Sequence, residues 1–190
     1  HYKNVRSRLM GIPTLISTNT HAVGSSTTTS AFTSGIDSTY DEYMFVFTDI
    51  NPDTDNAQFR FQVNAAGASG YNETITSTSF AALHGEDGAD GQLGYDTSLD
   101  LAEATGYQSL TAGIGNGADE CCAGILHLFS PSNTTYVKNF YARISMYEFR
   151  DDLYEYYTAG YINTTTAIDD IAFSTNNGDF SGVIQMYGIA

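Results

Sequence analysis

The chain has 190 residues, is 42% hydrophobic and carries 14 Tyr and 11 Phe, which is too much apolar side chain for a disordered segment and enough length for one ordinary domain. Charged residues make up only 15%, and 22 acids against seven Lys and Arg set a net charge of −15. That charge argues against DNA, RNA and anionic membrane as partners.

Three of the seven bases, Lys3, Arg6 and Arg8, precede the first strand-like run. Residues 1–13 read as an extended N-terminal arm that docks on the acidic body of a neighbouring copy, the alternative being a frayed terminus. Residues 14–190 read as one domain. Thr14 to Thr20 and Thr27 to Thr33 are Thr-rich, edge-type strands. In Tyr43 to Ile50, Tyr43, Phe45 and Phe47 share one face and Met44 and Val46 the other, the pattern of a central strand covered on both sides. After a turn, Phe59, Phe61 and Val63 alternate with Arg60, Gln62 and Asn64, giving one core face and one wet face.

Thr74 to Leu83 reads as a strand with mostly hydroxyl side chains outward, and GEDGADGQ, residues 85–92, as a loop. A single helical turn is expected over Leu99 to Ala104. Strands follow at Ser109 to Ile114, Gly124 to Phe129 and Tyr136 to Phe149. The last places Phe140, Ala142, Ile144 and Met146 on one face and Tyr141, Arg143, Ser145 and Tyr147 on the other. Tyr154 to Ile162 precedes a closing hairpin, Ile171 to Ser174 and Gly182 to Tyr187, around Asn176, Asn177 and Gly178. About ten short strands with no long amphipathic helix predict an all-β, antiparallel, jelly-roll-like β-sandwich.

Reactive residues do not converge on a reaction. The adjacent Cys121 and Cys122 cannot close a long loop and read as small apolar strand residues. His1, His21, His84 and His127 lack metal spacing, and His127, inside GILHLF, reads as a hydrogen-bonded core or interface histidine. No GxSxG elbow is present, and no acid pair can be selected for glycoside hydrolysis from 22 carboxylates. No enzyme activity is therefore expected. Asp87, Asp90 and Asp96 offer hard oxygens of the kind Ca²⁺ takes, although the EF-hand pattern is not met. Tyr154, Tyr156 and Tyr157 form a dense aromatic run that could serve recognition or fill both sides of a strand. Sequons begin at Asn72, Asn133 and Asn163. No stretch approaches the roughly 18 apolar residues of a membrane helix, so no membrane insertion is expected.

Four stretches carry a resemblance: LISTNT, FTSGIDSTYDEYMFVFTDINPDTD, GILHLFSPSNTTYVKNFYARI and AGYINTTTAIDDIAFSTNNGDFSGVIQMYGI. Together they resemble small β-sandwich, virion-associated proteins of tailed bacteriophages, especially marine and cyanobacterial ones. The resemblance runs from about residue 14 to the C-terminus and includes no catalytic motif. It implies a virion or extracellular setting as capsid decoration, fibre or tail-associated component, with other virion proteins as partners and self-association, commonly as trimers. Apolar and aromatic strand faces beyond what one thin sandwich covers are expected to meet sister copies, with Lys3, Arg6, Arg8, Tyr141, Arg143 and Tyr147 as interface residues. The rival expectation is a carbohydrate-binding module or lectin-like adhesin that grips a host glycan through Tyr154, Tyr156 and Tyr157 or through the acidic loop with Ca²⁺.

Overall fold

The period-two runs become strands. The computed structural model describes residues 11–89 and 91–190, and among these no helix forms. Twelve strands follow in chain order: β1 (Thr14–His21), β2 (Thr29–Phe32), β3 (Glu42–Pro52), β4 (Phe59–Ala65), β5 (Ile75–Gly85) and β6 (Gly91–Tyr95), then β7 (Gln108–Ser109), β8 (Cys122–Phe129), β9 (Lys138–Glu148), β10 (Asp152–Ile162), β11 (Ile168–Thr175) and β12 (Phe180–Ile189). They build two antiparallel sheets, a wide one in the order β1-β12-β3-β8-β9-β10-β5-β6 and a narrow one in the order β2-β11-β4-β7.

The pairings reveal the wrapping. β1 pairs β12, β2 pairs β11, β3 pairs β8 and β4 pairs β7, and these couples alternate between the two sheets. An antiparallel ribbon rolled in this way is a jelly roll, the expected architecture. Two hairpins are added to it. β5-β6 leaves the chain between β4 and β7, β9-β10 leaves it between β8 and β11, and they join through β10 and β5. The wide sheet is thereby doubled, from four strands to eight.

Apolar alternation decides which face points inward. Tyr43, Phe45 and Phe47 of β3 meet Phe59 and Phe61 of β4 and Phe173 of β11 across the sandwich. Phe173 is the hub, with its ring centroid 5.1 Å from Phe47, 5.3 Å from Phe45 and 5.9 Å from Phe59. Each such buried ring contributes roughly 1.5–3 kcal/mol, and edge-to-face contacts such as Phe47 on Phe59, tilted by 79°, add to it. The expected closing hairpin is a crossover instead: β11 pairs β2 and β4 in the narrow sheet, β12 pairs β1 and β3 in the wide one, and the connection between them turns at Gly178, whose φ of 73° suits glycine.

The four-stranded sheet is too narrow to cover the added strands, so an irregular segment, residues 96–115, does. It inserts Leu99, Leu110 and Ile114 into the core and lays the half-buried Leu101 against it. The expected helical turn over Leu99 to Ala104 is irregular chain instead, bent at Leu99, Ala102 and Glu103 and bridging Ala104 to Ile75, and the expected strand over Ser109 to Ile114 shrinks to β7. A covering loop has no ladder of its own, so its amides bond the sheet beneath. Leu101 N–H donates to Ser77 Oγ and Glu103 N–H to Thr76 Oγ1. This corrects the expected orientation of β5: Ser77 and Ser79 face inward, where Ser79 also bonds Thr158. Gln62, expected on a wet face, is fully buried, its amide donating to the carbonyls of Glu73, Thr105 and Gly106.

Candidate functional site

The outer face of the wide sheet has no second layer over it among the described residues. Register defines its rows. One row runs Val46, Ile125, Arg143, Tyr157, Phe80 and Tyr95 across β3, β8, β9, β10, β5 and β6. The next runs Met44, His127, Tyr141, Ala159 and Thr78. Met44 and Val46, expected to lie under a covering layer, are only half-buried and belong to this open face.

Aromatic side chains stand out of it. Exposure reaches 41% at Phe80, 43% at Tyr141, 52% at Leu153, 58% at Tyr95 and 75% at Leu93, far above what a sandwich interior leaves open. The rings hold one another: Phe80 stacks on Tyr157 at 5.0 Å and 6°, and His127 on Tyr141 at 4.6 Å. Between these ridges lie the small residues Ala159 and Thr78, so the face is grooved. A depression of about 470 Å³ lies among Phe80, Ile125, Tyr141 and Tyr157, and one of about 530 Å³ continues past Tyr141 to Phe129 and Tyr161.

Charged side chains on this face have partners in place. Glu155 accepts a hydrogen bond from Arg143, whose guanidinium also lies 5.4 Å from the Tyr157 ring. Glu42 meets the His127 ring nitrogen Nδ1. His127 itself is 8% exposed, hydrogen-bonded and stacked, in line with its position in GILHLF. The expected interface residues Tyr141, Arg143 and Tyr147 all sit on this face, whereas Lys3, Arg6 and Arg8 lie outside the described residues. Tyr147 stands at its lower margin, where its hydroxyl donates to Asp151; burial and the neighbouring Glu86 carboxylate push it up to about 12.

The tyrosine run does not form one patch. Strand alternation sends Tyr157 to the outer face and Tyr154 and Tyr156 to the inner one. Tyr156 is 2% exposed and donates to Asp96, and burial first, then that carboxylate, raises its hydroxyl well above the ordinary tyrosine value. Tyr154 stacks flat on it at 5.6 Å.

A second concavity lies at the end of the added hairpins. This bowl of about 820 Å³ is lined by Leu83, Glu86, Asp87, Gln92, Arg150, Asp151, Asp152 and Tyr154. Arg150 is fixed there by the buried Glu148, which accepts from Nε and Nη2. The Ca²⁺ candidates do not meet in it. Asp87 caps its own turn through Ala89 N–H, while Asp96 is engaged by Tyr156 and Ser98 at the far end of β6, about 16 Å of strand away. Asp90 lies outside the described residues, among which no group of three or more His, Cys, Asp or Glu is placed to hold a metal ion. Cys121 and Cys122 are free thiols; burial raises both, Cys122 strongly, since it points into the core.

Sequence reasoning missed Phe80, Leu93, Tyr95 and Ile125 as parts of the outer face. The signal was present in β8 and β5, where Ile125 and Phe80 fall out of step with the core-facing residues. It was lacking in β6, whose GQLGY follows an Asp-Gly loop without apolar alternation. No family model, no curated protein and no solved structure matches this chain.

Proposed function

We propose that this chain is a non-enzymatic structural protein that assembles with itself through the outer face of its eight-stranded sheet. The observation that carries the proposal is the aromatic face, its Arg143 guanidinium paired with Glu155, on a body of net charge −15. Two such bodies repel one another, and the face is where contact gains most apolar burial for least repulsion. Five strands at about 4.8 Å and nine residues at about 3.3 Å offer roughly 700 Å² before corrugation. That is of the order of the ~800 Å² each partner contributes to a standard interface. The virion setting, the copy number of three and the other virion proteins as partners rest on the resemblance to phage β-sandwich proteins alone.

The test places charge at the centre of the face. Phe80→Glu combined with Tyr141→Glu leaves the inward residues untouched, so the β-sheet circular dichroism of the native chain is expected together with a single-chain mass in solution. An unchanged assembly mass would remove the face from the interface.

A second reading, a glycan-binding module, is favoured by the bowl, where Tyr154 lies among carboxylates, Gln92 and Arg150, groups that together accept from and donate to sugar hydroxyls. Binding on a glycan array that is lost with Tyr154→Ala would support it.

A further inference from the structure

We infer that residues 1–10 of one copy add a strand to the free edge of β6 in a neighbouring copy, with Arg6 and Arg8 over that neighbour's acidic bowl. The inference rests on the self-assembly reading and names a second contact for it.

Among the described residues β6 ends the wide sheet and pairs only with β5. It carries none of the devices that protect an edge: the strand GQLGY has no charge and no proline, its pairing with β5 is continuous, and all five residues are exposed. Such an edge accepts an extended segment through main-chain hydrogen bonds. Its two sides differ. Gln92 faces the bowl with Leu83, whereas Leu93 and Tyr95 lie on the outer face opposite Ala82 and Phe80.

The arm matches both sides. HYKNVRSRLM contains three bases and no acid. In an extended segment residues two apart share a face, so Arg6 and Arg8 fall together and Val5 and Leu9 fall opposite. The first pair meets Glu86, Asp87, Asp151 and Asp152 of the bowl, and the second meets Leu93 and Tyr95.

Reach requires two copies. Register links Thr14 through Gly188, Tyr43, Leu128, Phe140 and Gly160 to Ser77, so the arm leaves the sheet level with Ser77 on the opposite edge from β6. The bowl lies across seven strand spacings and beyond the other end of β5, a diagonal of about 40 Å. Arg6 is eight residues from Thr14, at most about 29 Å. It cannot reach its own bowl. A head-to-tail contact of this kind closes a ring when the rotation allows.

Disulfide trapping tests this. In a Cys121→Ser background, with Cys122 buried, a chain carrying Val5→Cys is mixed with one carrying Leu93→Cys and oxidised. A mixed disulfide between the two chains is expected, and it should fall at least tenfold when Arg6→Glu and Arg8→Glu are added. In parallel, the amides of residues 92–95 should exchange at least tenfold faster when residues 1–10 are deleted. No mixed disulfide together with unchanged exchange overturns the inference, as does trapping that ignores the two arginines. If wild-type chains still sediment as an oligomer in that event, the arm contact fails alone. A monomer would remove the self-assembly reading and this contact with it.

Discussion

His21 shows how much one side chain's surroundings decide. It closes β1 with its ring 5.3 Å from Phe180, and its Nε2 is buried without a hydrogen-bond partner among the described residues. Burial holds the imidazole below its ordinary value of 6.5. Below that pH the unfolded chain takes up a proton that the folded chain resists, so the stability it supports is present above 6.5 and lost as pH falls through the lowered value. Urea midpoints from pH 7.5 to 5 should therefore decline less steeply for His21→Phe, which keeps the ring contact and removes the titration. Parallel profiles for the two proteins would show that His21 does not titrate with folding. The same attention to surroundings explains Gln62. Its type and its place opposite Phe61 and Val63 suggest solvent, but the chain between β4 and β7 folds back and supplies three carbonyls to its amide. Two of those carbonyls, of Thr105 and Gly106, are over 40 residues away in sequence, beyond what local alternation conveys.

Strands that carry their own alternation are legible element by element. β3, β4, β9 and β10 lie within a few residues of where period-two patterning puts them, because one face is buried and a slip of one residue would expose it. β6 was not legible, since it buries no face and, among the described residues, is held only by its ladder with β5. The covering segment was misread for a related reason: its shape depends on the sheet below, whose Ser77 and Thr76 accept from its amides, more than on any alternation of its own. Ser77→Ala removes the acceptor for Leu101 N–H, a loss of about 1 kcal/mol. Hydrogen exchange should record it locally, with the Leu101 and Glu103 amides exchanging several-fold faster and the amides of β3 and β4 unchanged. Uniform acceleration across the chain would mean that the segment is not a separate layer.

For the whole molecule, the doubled sheet is the feature with consequences. A jelly roll of two four-stranded sheets covers its own inner faces; adding four strands to one sheet creates a new inner face, closed by residues 96–115, and a wider outer face left open. The tyrosine run hinted at this without resolving it, since Tyr154, Tyr156 and Tyr157 divide between the two faces and only Tyr157 contributes to the open one. The proposed assembly therefore depends on the added hairpins more than on the jelly roll itself. Sedimentation equilibrium of the full chain at physiological salt, across micromolar concentrations, tests that dependence most directly. A sheet that meets sister copies gives a mass several times that of one chain; a single-chain mass at every concentration would contradict it.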